Sequence, residues 1–221
     1  MGMIITIDGP AGTGKTTIAR AVAEKLKFNY FDTGAMYRAL TYRINKEKIE
    51  LHDQNTLSAF LVSFKFEIRD VGKEKRYFVE DKDVTDLIRT PQVTQAVSRV
   101  SAHPEVRKAL VAIQREFGKN KNAVFEGRDM GTVVFPKAEV KIFLTARPAV
   151  RAERRYLEFK EKKIPATQEE VLQELLERDH FDSTREIAPL QRAEDAHLID
   201  TSDFTIEQVT DQILTYIGKA A

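Results

Sequence analysis

Residues 3–17, Met-Ile-Ile-Thr-Ile-Asp-Gly-Pro-Ala-Gly-Thr-Gly-Lys-Thr-Thr, carry the strongest chemical signal in the chain. The apolar run Met3–Ile7 ends at Asp8, and Gly9-x-x-x-x-Gly14-Lys15-Thr16 follows at once. Glycines at this spacing let successive backbone N–H groups turn inward around phosphate oxygens. Gly9, Pro10, Ala11, Gly12, Thr13, Gly14, Lys15, Thr16 and Thr17 are therefore candidates to cradle the phosphates of a nucleoside triphosphate. Lys15 would reach the outer phosphates, and the Thr16 hydroxyl would ligate Mg²⁺. Ile18, Val22 and Leu26 recur at helical spacing just downstream, so a helix N-terminus adds partial positive charge at the same place.

A phosphate loop names a donor; arginines point to an acceptor. Arg38 lies one turn into the helix after Asp32-Thr33-Gly34, and Arg107 lies early in the helix from Pro104. Arg128 and Asp129 sit between Gly127 and Gly131 at the end of an apolar strand, while Arg178, Asp182 and Arg185 form a helical ladder. Phosphoryl transfer asks for such an array, because its catalysis is mostly positioning and neutralisation of charge spread over phosphoryl oxygens. The planar fork of arginine binds two phosphate oxygens at once and stays charged when desolvated. Blander readings stand beside these. Arg178 and Asp182 at i,i+4 also read as a surface ion pair worth about 0.3–0.5 kcal/mol, and Arg107 as a solvated helix residue. Arg147, Arg151, Arg154 and Arg155 share one side of the helix from Pro148; they read equally as a solvated basic face or as a lid that excludes water from the triphosphate. Asp8 and Asp32 are candidates to hold the waters of Mg²⁺. The four histidines show no ligand spacing, and Asn120-Lys121-Asn122-Ala123 lacks the aspartate of a guanine-specific switch.

The elements that must position these residues follow from periodicity. Strands are expected at Met3–Ile7, Phe28–Phe31, Ala123–Glu126, Val140–Thr145 and His197–Asp200, alternating with helices. Such alternation argues for a parallel sheet with helices on both faces, which places strand ends and ligands at one edge. Phe64, Phe66 and Ile68 alternate with polar residues, and Tyr77–Val79 follows a Val71-Gly72-Lys73 turn, so a small antiparallel hairpin is expected as an inserted lobe. Phe60, Phe64, Phe66 and Phe78 should fill its core, with Lys73–Arg76 a solvated tip. Thr90-Pro91 should cap and open a helix to about Ala102. Thr167-x-x-Glu170 is a capping box, with Leu172, Leu175 and Leu176 as the buried stripe of the helix it opens.

The 221 residues are 42% hydrophobic and 31% charged, enough for one substantial core. A net charge of +1 gives no global field for nucleic acid or membranes. The absence of cysteine excludes disulfides, thiolate zinc sites and cysteine nucleophiles. No apolar run approaches roughly 18 residues, and no signal-peptide pattern opens the chain, so a cytoplasmic protein without a membrane partner is expected. No nucleic-acid partner is expected either, and the working expectation is a monomer.

Taken in order, Gly9-x4-Gly-Lys-Thr, Asp32-Thr-Gly-Ala-Met-Tyr-Arg38, Gly127-Arg-Asp-Met-Gly-Thr-Val-Val-Phe-Pro136 and Arg178-Asp-x-x-Asp182-x-x-Arg185-x-x-Ala-Pro-Leu190 resemble the bacterial cytidylate kinases over nearly the whole chain. The resemblance implies one P-loop kinase domain over 1–221, with a nucleoside-monophosphate lobe at 34–101 and a lid at 147–164. It implies transfer of the ATP γ-phosphoryl group to CMP or dCMP with Mg²⁺. On this resemblance Thr33, Arg38, Arg128 and Arg185 would surround the acceptor phosphate, with Tyr37 in the same motif. Ser98, Arg107 and Asp129 would face cytosine, Arg178 and Asp182 would hold the sugar, and Arg151 and Arg154 would act from the lid. Lys15, Arg128, Arg154 and Arg185 form the implied catalytic set. The rival readings are a related small-molecule kinase with another acceptor, and a nucleotide-dependent switch without transferase activity.

Overall fold

The structure, a computed structural model, describes residues 2–72 and 74–220; Lys73, part of the expected hairpin turn, lies outside them. In chain order the first elements are β1 (Ile4–Asp8), α1 (Lys15–Leu26), β2 (Asn29–Asp32), α2 (Thr33–Glu47) and α3 (Gln54–Ser63), then β3 (Phe66–Val71), β4 (Glu74–Val79) and β5 (Lys82–Asp83). There follow α4 (Pro91–Ala102), α5 (Pro104–Gly118), β6 (Ala123–Gly127), β7 (Val140–Thr145), α6 (Pro148–Glu161), α7 (Gln168–Thr184), β8 (His197–Asp200) and α8 (Ile206–Ala220). The chain divides into two units, one made of residues up to Asp32 with Arg115 onward, the other of Thr33–Gln114.

In the first unit five parallel strands run in the order β2-β6-β1-β7-β8, the sheet expected from the sequence. Strands covered on both faces need apolar runs rather than alternation. Ala123, Val124 and Phe125 of β6 are accordingly all fully buried. Ile18 and Val22 of α1 pack with Ile213 and Ile217 of α8 against Ile7, Val124, Ile142 and Ile199. This core fixes the β1–α1 junction on which the phosphate loop hangs. After β6 the chain makes one wide turn, Met130–Val134. Arg115 ties that turn down by donating to Val134 O at 3.0 Å and Val133 O at 2.9 Å. On α7 the capping box forms, Thr167 and Glu170 bonding reciprocally. Its buried stripe is Val171 and Leu175; Leu176 is instead 43% exposed, because the helix rests on its neighbour along a narrower line than the leucines suggest.

The second unit holds a three-stranded antiparallel sheet, β3-β4-β5, one strand more than the expected hairpin. The added turn uses Glu80 and Asp81, both left-handed at φ 48° and 62°. Tight hairpin turns of this hand normally announce themselves with Asn-Gly or Asp-Gly, so Glu-Asp hid the strand. Phe60, Phe64, Phe66 and Tyr77 pack in series, with centroids 6.5, 6.4 and 6.0 Å apart, the first pair tilted and the other two stacked. Phe78 takes no part; it faces the other way, under the Arg69 guanidinium at 4.2 Å. The α4 helix opens at Pro91 as expected, but the Thr90 hydroxyl donates back to Leu87 O at 3.1 Å and does not cap it. Among the described residues no helix is long and apolar enough to cross a membrane.

Candidate functional site

The cradle forms because three positions admit only glycine. A Cβ on Gly9 (φ 149°) would lie 2.1 Å from Leu144 O of β7. One on Gly12 (φ 77°) would lie 3.0 Å from Arg151 Cβ, and Gly14 (φ 85°) turns the chain into α1. Thr13 Oγ1 and Lys15 Nζ both donate to Pro10 O, at 3.1 and 2.6 Å, closing the loop on itself. Lys15 is buried, and its ammonium is held well below the ordinary lysine range. Burial is the first cause and the positive charges of Arg128 and Arg178 follow, with Glu126 and Asp8 opposing them.

Two buried carboxylates flank the loop. Glu126, paired in register with Ile7 of β1, accepts a 2.5 Å hydrogen bond from Tyr30 Oη and another from Thr16. Burial pushes its pKa up to about 7, and Asp32 adds to the rise. Asp8 accepts from Met130 N at 2.9 Å and Gly131 N at 2.8 Å. Burial outweighs those two donors and leaves its pKa at about 6. Asp8 is thus a strap between the phosphate loop and the turn that follows Arg128 and Asp129. A Cβ on Gly131 would lie 3.1 Å from Thr6 Oγ1 and 3.2 Å from Lys141 Cδ, so a larger residue there would press on both side chains.

Beside the loop, Arg128 Nε donates to Asp182 Oδ2 at 3.1 Å, while Arg178 Nε stands 4.0 Å from the same oxygen. The i,i+4 pair of Arg178 and Asp182 does form, at 4.0 Å, but not as a free surface pair, because Asp182 is buried and also accepts from Arg128. Arg185 Nη2 lies 3.8 Å from Asp129 Oδ1, both side chains buried, and Arg185 Nε donates to Ala188 O at 2.7 Å. Burial and the nearby Arg128 lower the Arg178 pKa to about 10. Lys15, Arg128 and Arg178 thus bring three cations close enough to repel one another, with Glu126, Asp8 and Asp182 as their carboxylate partners, and grouped cations of this kind suit an oxyanion.

The basic residues of α6 divide. Arg151 donates to Ala146 O (3.0 Å), to Ala11 O of the loop (3.1 Å) and to Asp179 of α7 (2.5 Å). Arg154 donates to Thr201 Oγ1 at 3.1 Å and Thr201 O at 2.7 Å, and Thr201 Oγ1 donates on to Thr13 O at 3.1 Å. Both therefore brace the cradle from outside. Arg147 pairs with Asp203, and Arg155 with Glu158.

The remaining candidates belong to the second unit. Thr33 and Tyr37 are buried on α2. Arg38 donates to Thr94 Oγ1 at 2.8 Å. Arg107 donates to Ser101 O at 3.2 Å and stands over the Tyr37 ring at 5.6 Å. Ser98 is half-buried on α4.

The family model for cytidylate kinase matches residues 5–219. The chain belongs to the cytidylate kinase family. A cytidylate kinase of Protochlamydia amoebophila is 55% identical, over 97% of this chain and 96% of its own. One of Carboxydothermus hydrogenoformans is 49% identical, over 98% of each. Among solved structures, a gluconokinase from Sinorhizobium meliloti superposes with a TM-score of 0.53 at 15% identity, over 100% of this chain and 93% of that one. At that identity the likeness concerns the fold alone.

Motif reading passed over several residues that bond to the candidate ones: Glu126 (with its partner Tyr30), Asp179 and Thr201 in the first unit, and Thr94 in the second. Glu126 had a readable signal, a lone carboxylate in the apolar run Ala123-Val124-Phe125. Thr94, Asp179 and Thr201 had none, since each matters through a partner distant in sequence. The Thr16 hydroxyl, bonded to the Glu126 carboxylate, offers the hard oxygen donors that Mg²⁺ prefers. Among the described residues no cluster of three or more His, Cys, Asp or Glu could hold a metal alone.

Proposed function

We propose that the protein transfers the γ-phosphoryl group of ATP to CMP and dCMP, giving CDP and dCDP, in a single in-line displacement. The observation that carries this is the gathering of Lys15, Arg128 and Arg178 beside the loop Gly9–Thr17, in a chain of this family. Backbone N–H groups of the loop receive the ATP phosphates, and Lys15 leaves Pro10 O to meet the transferring group. Thr16, with Glu126 beside it, would hold Mg²⁺, which would supply positive charge to the nucleotide phosphates. Arg38, Arg128 and Arg185, with Thr33, receive the acceptor phosphate, whose oxygen is already anionic and needs no general base. Arg178 and Asp182 take the sugar, and Ser98, Arg107 and Asp129 take the base, with Tyr37 under Arg107. Residues 147–164 act as the lid, and Arg154 and Arg151 neutralise charge once released from Thr201 and Ala11. The unit Thr33–Gln114 is the acceptor lobe in this reading.

Cytosine presents a donor at N4 and acceptors at N3 and O2. A carboxylate and a hydroxyl accept from N4, and Arg107 donates to N3 and O2. Uracil replaces the N4 donor by a carbonyl and N3 by an N–H, leaving buried acceptors facing an acceptor, so it should be rejected by about 10²-fold or more. The test is a coupled ADP assay with saturating ATP and CMP, dCMP, UMP, AMP or shikimate as acceptor. Comparable kcat/KM for CMP and UMP overturns the assignment. Slow ATP hydrolysis indifferent to CMP would mark a switch instead.

A further inference from the structure

The hydrogen bond between Arg38 and Thr94 has no counterpart in the sequence motifs, and it lies wholly within the unit Thr33–Gln114. Thr94 is in the first turn of α4, its amide bonded to Thr90 O at 3.0 Å. Val93, Val97 and Val100 bury one face of that helix. Thr94, Ser98 and Ser101, spaced by four and three residues, form a half-buried polar face next to it. Arg38 is bonded to the first of the three, through its hydroxyl. Arg107 is bonded to the last, through its carbonyl. Ser98 stands between them, its own carbonyl accepting from Ser101 Oγ at 3.0 Å. Two arginines from two other helices are thus fastened to one rigid helix. Their anchor points are seven residues apart, about 10 Å along the axis at 1.5 Å per residue.

We propose that Thr94 is a positioning residue for the acceptor phosphate: it holds the Arg38 guanidinium at a fixed distance along α4 from the base-reading pair Ser98 and Arg107. The proposal rests on the reading above that Arg38 meets the phosphate and Ser98 and Arg107 meet the base. A nucleoside monophosphate is anionic at one end and polar at the other, so a fixed spacing between the two anchors selects for its length. Threonine suits the task because branching at Cβ restricts χ1 and keeps the hydroxyl aimed. Arg38 Nη1 also donates to Ile88 O, at a longer 3.4 Å; losing the shorter bond to Thr94 loosens the aim of the guanidinium, which weakens binding of the phosphate without touching the base.

The test compares Thr94→Val, Thr94→Ser and Arg38→Met, with the double variant Thr94→Val/Arg38→Met, in the full-length protein. Thr94→Val should raise the KM for CMP about tenfold, the worth of one hydrogen bond to a charged group. The KM for ATP and kcat should stay within about twofold. Cytidine, which lacks the phosphate, should inhibit Thr94→Val and wild type equally. Thr94→Ser should restore the CMP KM. In the Arg38→Met background Thr94→Val should add nothing. An unchanged CMP KM in Thr94→Val, with a raised one in Arg38→Met, overturns the positioning role alone. Equal losses for cytidine and CMP also overturn it, because α4 itself would then have been disturbed. An unchanged CMP KM in Arg38→Met overturns both this role and the assignment of Arg38 to the phosphate.

Discussion

Arg128 and Asp182, 54 residues apart in sequence, meet through a 3.1 Å bond from Nε to Oδ2 that joins the turn after β6 to α7. Asp182 is buried and has Arg178 4.0 Å away as a second cation. Two of the cations assigned to substrate are therefore aligned by one carboxylate. Asp182→Asn keeps an acceptor but removes the charge, leaving two arginines to repel each other. It should lower kcat/KM for CMP by about 10–100-fold and stability by about 1–3 kcal/mol. The KM for ATP should hardly move. Steady-state kinetics with each substrate varied in turn, alongside a denaturant melt, checks this; a loss confined to ATP would sink it.

Lys15, which the proposed function assigns to the transferring phosphoryl group, is a buried cation that costs the folded protein stability. Burial and the charges of Arg128 and Arg178 disfavour its protonated form. Lys15→Met removes that cost, so the ligand-free variant should melt at a higher temperature than wild type at pH 7. It should still bind CMP but lose kcat by about 10²–10³-fold. Calorimetric CMP titration, the coupled assay and a thermal melt separate the three outcomes. Near-normal turnover would refute the role given to Lys15.

Local pattern made the phosphate loop and the order of helices and strands readable, because loop glycines and apolar runs are local consequences of backbone geometry. Arg128 and Asp129 were readable for the same reason, lying at a strand end between glycines. What stayed hidden depends on pairs distant in sequence. Nothing near Thr94 says that Arg38 will bond to it, and nothing near Asp182 says that Arg128 will reach it before Arg178 does. Periodicity placed Arg151 and Arg154 on one helix face but could not tell that they grip Ala11 O and Thr201. Ser98 came from the family resemblance alone, because a lone half-buried serine carries no local sign.

Asp8 and Glu126 set an acid-side dependence of stability in the ligand-free protein. Their folded pKa values, about 6 and about 7, lie above the ordinary 3.8 and 4.5. The folded state therefore binds these protons more tightly than the unfolded chain. The stabilisation is complete below about pH 4 and is lost as pH rises through 6 and then 7. On this account the melting temperature falls between pH 5 and pH 8. Asp8→Asn should flatten the lower part of that slope. It should also destabilise at every pH, because an amide N–H₂ would face Met130 N–H or Gly131 N–H. Melts across the pH series check both; a slope in Asp8→Asn as steep as wild type would count against the assignment.

Thr201 and Arg154 allow bracing of the loop to be separated from chemistry. The Thr201 hydroxyl accepts from Arg154 and donates to Thr13 O, so one oxygen relays the support of Arg154 to the cradle. Thr201→Val keeps the shape and removes both bonds, leaving Thr13 less firmly held where the ATP phosphates bind. It should raise the KM for ATP about tenfold, with the KM for CMP and kcat within about threefold of wild type, and Thr201→Ser should reverse the loss. Arg154→Ala removes the same brace and also a cation assigned to the transferring phosphoryl group, so its kcat should fall by about 10²-fold or more. If the two variants matched in both parameters, Arg154 would be acting through the brace alone, and the charge-neutralising role given to it would fall.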